Sequence, residues 1–359
     1  MGKKVRVVMD LSSSGKGGGP YTSSIRVMNS GLKDKYDFKV ISYKTELGRF
    51  ISIKRILDLR RQLIDLKPNI VHFTGLQLSG FHVALACVLA GIRNTVVTVH
   101  GFSGDSMNLS LINKFLLNCI IEPLTLLMVK RVYGVSQFVA SRKMMKLFSY
   151  KSCGFIYNLP PDKYKSENYN DDVRKELGVS PNDILAISVG RVTLDKGYHI
   201  LSDAILQFQN TPHLKFVIVG KGNYLSIMKE KLKEQIASGQ VIVLGHRDDV
   251  QRIVHTCDFF ILPTLHETLS IALLEASIEE IALIGSDTGG VPEIIKNQYN
   301  GILVPPGETD ALVSAINQLY QNDELRMLYS KNALIHVRQQ FNKRQIEESI
   351  DTVYKELLD

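Results

Sequence analysis

Phe259-Phe260-Ile261-Leu262-Pro263-Thr264-Leu265-His266-Glu267-Thr268-Leu269-Ser270-Ile271-Ala272-Leu273-Leu274-Glu275-Ala276 reads as a strand, a loop and a helix in one stretch. Four successive apolar residues, 259–262, are the mark of a parallel strand buried on both faces. Ser270 is a good N-cap for the apolar helix that follows it. The strand therefore delivers Glu267 to the loop at its carboxyl end, and the helix places Glu275 in its second turn. The free N–H groups of the helix start suit an anion. Carboxylates accept hydrogen bonds from hydroxyls and repel phosphate, so two of them flanking an anion site point to sugar hydroxyls. Taken singly, Glu267 also reads as a solvated loop acid and Glu275 as an exposed helix residue.

The same strand-loop-helix unit recurs on both sides of this stretch. Strands are predicted at 5–9, 38–43, 70–73, 96–99, 132–135 and 155–157, then at 184–189, 216–219, 241–244, 259–262, 282–286 and 302–304. A polar stretch at 160–182, with Pro160, Pro161 and Pro181, separates the two sets. The expectation is an α/β chain of two doubly wound, Rossmann-like parallel-sheet domains facing across a cleft, with ligand at the carboxyl ends of the strands. The domains fall at 1–165 and 166–335, and 336–359 forms a terminal helix packing back on the first domain. Helical periodicity runs through 333–358 without a following strand.

A length of 359 residues accommodates two such domains. With 45% apolar residues, 22% charged residues and a mean hydropathy of +0.01, the chain is neither disordered nor a polytopic membrane protein. The net charge of +7 is divided unevenly: 25 Lys+Arg against 9 Asp+Glu up to Lys165, and 18 against 27 after it. The first half is thus suited to an anionic partner. Cys87, Cys119, Cys153 and Cys257 form no C-x-x-C pair, which excludes a zinc or disulfide framework and leaves buried free thiols as the expectation. The apolar run behind Lys3-Lys4 is too short for a signal peptide, and Arg6 breaks the myristoylation pattern. The longest apolar stretch, 109–129, is interrupted by Lys114, Glu122 and Pro123, which argues against a spanning helix. A cytoplasmic protein, at most peripheral on the inner face of the cell membrane, is expected.

Lys16-Gly17-Gly18-Gly19-Pro20-Tyr21 follows the first strand and precedes a helix predicted over 22–29, so its amides can approach a phosphate closely. The dinucleotide fingerprint fails at Pro20, and the P-loop fails because Gly17 stands where Ser or Thr is needed. Gly190-Arg191 and Lys196-Gly197 lie at another strand end, where a guanidinium fork and an ammonium can converge on a diphosphate. Gly220-Lys221-Gly222 is a similar turn after the next strand.

Glu267 and Glu275 at this spacing, together with Gly190-Arg191, Lys196-Gly197, Gly17-Gly18-Gly19 and Asp287-Thr288-Gly289-Gly290-Val291-Pro292-Glu293, resemble the retaining glycosyltransferases of family 4, which have the GT-B fold. The likeness is colinear over nearly the whole chain. It implies that Arg191 and Lys196 bind the diphosphate of a nucleotide-sugar and that Glu275 holds the ribose hydroxyls. Glu267 and the amides of Thr268, Leu269 and Ser270 would hold the donor sugar and distal phosphate. His100 would contact the sugar from the first domain, Gly18 and Gly19 would reach the phosphate, and Gly245, His246 and Arg247 would line the base. His100, Glu267, Arg191 and Lys196 are the catalytic residues so implied. The chain departs from the family where Gly and Pro usually follow the second acid: Glu280 and Ala282 stand there, and Thr268 stands where Gly is usual.

The sequence has no D-x-D to hold a divalent cation, so no metal and no cofactor is expected, and protein groups would neutralise the diphosphate. The resemblance implies front-face transfer with retention, the departing phosphate taking the acceptor's proton. A UDP-sugar donor and a glycan or lipid-linked acceptor are the expected partners, as in cell-surface polysaccharide synthesis, with no nucleic acid. A non-catalytic nucleotide-sugar-binding subunit and a GT-B epimerase are the alternatives. Two basic, apolar-edged surfaces in the first half point to an anionic membrane. One is a helix with Arg49, Lys54, Arg55, Arg60 and Arg61 beside Phe50, Ile53, Ile56, Leu57 and Leu63; the other is Arg142, Lys143 and Lys146 near Met144, Met145 and Phe148.

Overall fold

β-branched and aromatic runs build two parallel sheets, one in each half of the chain. The computed structural model describes residues 4–12, 18–43, 51–105, 109–164 and 170–359. The first sheet contains β1 (Val5–Ser12), β2 (Tyr36–Tyr43), β3 (Ile70–Thr74), β4 (Thr95–Val99), β5 (Arg131–Gly134) and β6 (Ser152–Phe155), in the order β2-β1-β3-β4-β5-β6. The second contains β7 (Ile184–Val189), β8 (Leu214–Val219), β9 (Val241–Gly245), β10 (Phe259–Leu262), β11 (Ala282–Ser286) and β12 (Gly301–Val304), in the order β12-β11-β10-β7-β8-β9. Every pairing is parallel, as their nearly unbroken apolar runs require. Both orders reverse direction once, at β1/β3 and at β7/β10. Those reversals are the points at which doubly wound sheets leave a crevice beyond the strand ends.

Contacts divide the chain into one unit of Met1–Leu159 with Asn342–Asp359, and another of Pro160–Phe341. The division falls six residues before the expected boundary at 165, and residues 336–341 stay with the second unit. The expected single terminal helix is two, Asp323–Gln340 and Lys343–Leu358, because Asn342 caps the second by accepting from the Gln345 amide at 3.1 Å. Helix Lys343–Leu358 packs within the first unit. Asp351 accepts from the Tyr36 hydroxyl at 2.7 Å and from Lys35 at 2.9 Å, and Tyr354 Oη meets His72 Nδ1 at 2.7 Å.

Three further expectations are corrected. β6 ends where 155–157 was read as strand: Ile156 and Tyr157 are buried without belonging to the ladder, and apolar runs report burial before they report pairing. The four thiols are free but not all buried, since Cys119 is exposed and Cys153 half-buried. Pro123 does not interrupt its stretch: helical turns run continuously from Leu111 to Met128, passing through a π turn at Leu117–Ile121. The wider turn accommodates a proline ring that would strike the carbonyl four residues back in a regular α-helix. By length and composition that run is apolar enough to cross a membrane. Residues 13–17, 44–50 and 165–169, with Lys16, Gly17, Arg49 and Phe50 among them, lie outside the described residues.

Candidate active site

The second sheet's reversal brings two loops together, the one after β7 and the one after β10. Backbone hydrogen bonds hold them: Leu265 N–H donates to Asp195 O at 2.9 Å, and Thr264 Oγ1 donates to the same carbonyl at 3.2 Å. Gly197 sits at φ 72°, where a Cβ would come within 1.7 Å of Pro263 O, so only glycine permits this approach. The consequence is a pair of side chains from different loops. Lys196 Nζ lies 2.8 Å from Glu267 Oε2, and both side chains are largely buried, 18% and 13% exposed.

A third loop fixes Glu267 from the other side. Gly290 N–H donates to Glu267 O at 3.2 Å, and at Gly289, φ 58°, a Cβ would meet that carbonyl at 1.7 Å. The Asp287-Thr288-Gly289-Gly290 turn after β11 thus positions the acid. The remaining Glu267 oxygen, Oε1, accepts the Thr268 amide at 3.1 Å. Ser270 is the N-cap, its hydroxyl accepting from Leu273 N–H at 3.2 Å, and the helix it starts, Ile271–Ile278, carries the half-buried Glu275. An ammonium, a carboxylate and a helix N-terminus thus share one strand-end site, a set able to bind an anion and hydroxyls side by side.

The other expected residues are less gathered. Arg191 is 71% exposed and faces Asp195, which sequence reasoning overlooked, at 3.6 Å. Gly245, at φ 67°, accepts the Gly220 amide at 2.7 Å, which ties β9 to the turn after β8. His246 is exposed, 3.5 Å from Asp248. The Arg247 guanidinium is engaged by both Asp249 oxygens, at 2.7 and 2.8 Å, and by Glu176 at 2.8 Å, and these hydrogen bonds push its pKa above the ordinary range. Arg247 therefore presents a fixed ion network, shared with Arg252, instead of a free guanidinium. At the departure from the family pattern, Glu280 adopts φ 63°, the left-handed conformation that glycine favours, and pairs with Lys163 at 2.9 Å.

The first unit holds the remaining three. His100 follows β4, half-buried, and burial lowers its pKa to about 4, so the imidazole is neutral at pH 7. Gly18 and Gly19 are exposed at the start of helix Gly19–Asn29, Gly18 as its N-cap and Pro20 in its first turn. Asp10, near the carboxyl end of β1, was not foreseen. It accepts from Thr74 N–H at 2.8 Å and from the Tyr43 hydroxyl at 3.0 Å, and burial raises its pKa to about 6.

Two doubly wound units in one chain, each with a single reversal of strand order, are the arrangement of the GT-B fold. Residues 170–335 match the family described as glycosyl transferases group 1. A UDP-Gal:alpha-D-GlcNAc-diphosphoundecaprenol alpha-1,3-galactosyltransferase of Escherichia coli is 25% identical over 317 residues, 85% of this chain and 80% of that enzyme. The putative teichuronic acid biosynthesis glycosyltransferase TuaC of Bacillus subtilis is 31% identical over 160 residues, 45% of this chain. The chain spans 39% of TuaC and 53% of N-acetyl-alpha-D-glucosaminyl L-malate synthase from Bacillus anthracis. Among solved structures, Anabaena HepE in complex with UDP and glucose superposes with a TM-score of 0.81 at 20% identity, covering 98% of this chain and all of that one. The chain has the GT-B fold, and residues 170–335 of its second unit match the glycosyl transferases group 1 family.

Proposed function

We propose that the chain transfers a sugar from a UDP-sugar to a glycan or lipid-linked acceptor with retention of configuration, as a family 4 enzyme independent of metal. The observation that carries this reading is the 2.8 Å contact between Lys196 and Glu267 at the β7/β10 reversal. In a nucleotide-sugar the distal phosphate is bonded to the anomeric carbon, so a diphosphate-binding cation and a hydroxyl-binding carboxylate belong side by side. An arriving diphosphate competes with Glu267 for the ammonium and releases the carboxylate to the sugar. Lys196, Arg191 and the helix start at Ser270 then stabilise the charge that develops on the departing phosphate. That phosphate takes the acceptor's proton, so no separate base is required. Glu275 holds the ribose, Gly245 to Arg247 flank the base, and His100, as a neutral hydrogen-bonding group, and Gly18-Gly19 are the first unit's contribution.

A galactosyltransferase that uses a diphosphoundecaprenol acceptor, and a HepE complex with UDP and glucose, support the choice of donor base and acceptor class. Peripheral attachment to the anionic inner face of a membrane, through the basic surfaces of the first unit, fits a lipid-linked acceptor. The test is a panel of nucleotide-sugars assayed for nucleotide release, with and without EDTA. A UDP-sugar should be turned over at the same rate after chelation, and loss of activity restored by magnesium or manganese would reject the metal-free mechanism. Glu267→Gln should lower kcat, whereas Glu275→Gln should mainly raise the donor KM.

A further inference from the structure

The helix Leu111–Met128 is built inside out. Its solvent face carries Leu111, Ile112, Phe115, Leu116, Leu124 and Leu127, all exposed, with Leu111 83% and Ile112 72% accessible. Its inner face is where the polar groups lie. Glu122 is buried and accepts Ser103 N–H at 2.7 Å, and buried Thr125 donates to Leu76 O at 3.0 Å. Lys114 and Glu122 are the only charged residues in the run, and neither belongs to the exposed face. A surface helix of a globular protein has the opposite pattern, and a continuous exposed apolar strip marks a surface that is covered in use.

Charge identifies the cover. The basic segment 142–151 is fastened to this helix at two places. Arg142 pairs with Asp105, and the neighbouring Gly104 packs on Asn118 of the helix. Lys151 donates to the Leu126, Leu127 and Val129 carbonyls at 3.0, 2.7 and 2.8 Å, capping the helix end. Between these fastenings Leu147 and Tyr150 are exposed at 70% and 68%. The segment also holds Lys143 and Lys146. An apolar strip edged by lysines matches acyl chains edged by anionic headgroups. The hydrogen bonds that Glu122 accepts and Thr125 donates keep the helix part of the unit, so it lies along the surface; crossing the bilayer would break them.

We propose that the exposed face of Leu111–Met128, with the 142–151 segment beside it, inserts into the headgroup region of an anionic bilayer. The proposal rests on the reading of this enzyme as membrane-attached and names the element that attaches it, replacing the basic helix Ile53–Leu66 as the principal contact. Cys119, exposed on the same helix, provides the probe. In a Cys153→Ser background, an environment-sensitive fluorophore on Cys119 should shift to the blue when phosphatidylglycerol-containing vesicles are added, and not with pure phosphatidylcholine vesicles. Ile112→Glu with Phe115→Glu should weaken vesicle sedimentation at least tenfold while leaving the thermal midpoint and UDP-sugar binding unchanged. Arg60→Glu with Arg61→Glu should weaken it less. Sedimentation with an unshifted Cys119 probe would overturn the insertion and leave membrane attachment standing. A concentration-dependent dimer abolished by the Ile112/Phe115 change, with no vesicle binding, would instead assign the face to a second copy of this chain.

Discussion

The reversals of the two sheets present opposite kinds of site. At β7/β10 four loops, those after β7, β8, β10 and β11, are locked by main-chain contacts so close that only glycine fits at positions 197, 220 and 289. The charged side chains Lys196 and Glu267 are held by that scaffold and by each other. At the β1/β3 reversal and the neighbouring end of β4, the polar groups are buried titratable side chains, Asp10, His72 and His100, displaced from their ordinary pKa values by burial, His72 to about 3. The first arrangement holds its charges in place before any ligand arrives, as the proposed diphosphate site requires. In the second, burial favours the uncharged forms, so the two imidazoles are neutral at pH 7 while Asp10 still ionises.

Removing the cation of the locked site should have the largest effect. Lys196→Ala should reduce turnover by about a hundredfold or more, as loss of a preorganised charge contact does. His100→Ala should cost about tenfold, the smaller loss of a neutral contact. Equal losses in kcat at saturating donor would erase the distinction between the two sites.

Next in size is the response of the first unit to pH. Asp10 has a folded-state pKa of about 6 against 3.8 for the free side chain. Its raised value means the stability present below pH 3.8 is lost as pH rises through about 6, a cost of about 3 kcal/mol at neutral pH. Asp10→Asn should remove that slope, giving a higher urea midpoint at pH 7 and little change at pH 4. An unchanged profile would show that the carboxyl is solvated.

The smallest expected effect lies at the departure from the family turn. Glu280→Gly should raise stability by up to about 1 kcal/mol, because it relieves a left-handed residue at the loss of an exposed ion pair with Lys163. Destabilisation would show that the pair outweighs the backbone conformation.

What could be read in the sequence follows the same division. Strands 184–189, 259–262 and 282–286 have the expected bounds because both of their faces are covered and the apolar run ends where the ladder ends. Lys196 and Glu267 stood out because glycines required by close backbone approach, Gly197 and Gly289, accompany them. Asp10 left no trace: a lone aspartate near a strand end looks the same buried or solvated, and only the partners Thr74 and Tyr43 reveal it. The helix break at Asn342 had a signal, Asn342 followed three residues later by Gln345, masked by uninterrupted apolar periodicity. Reading 109–129 as interrupted treated Pro123 as a stop, although a π turn passes it. The orientation of that helix was out of reach, since periodicity shows which residues share a face but not which face is turned inward.

Calorimetric titration of the wild-type chain and of Lys196→Ala with the UDP-sugar it turns over tests the central claim most directly. The account predicts binding by the wild type that is weakened at least tenfold in the variant, with both proteins unfolding cooperatively in urea. Equal affinity in the two would place the diphosphate elsewhere and contradict the assignment of the β7/β10 site.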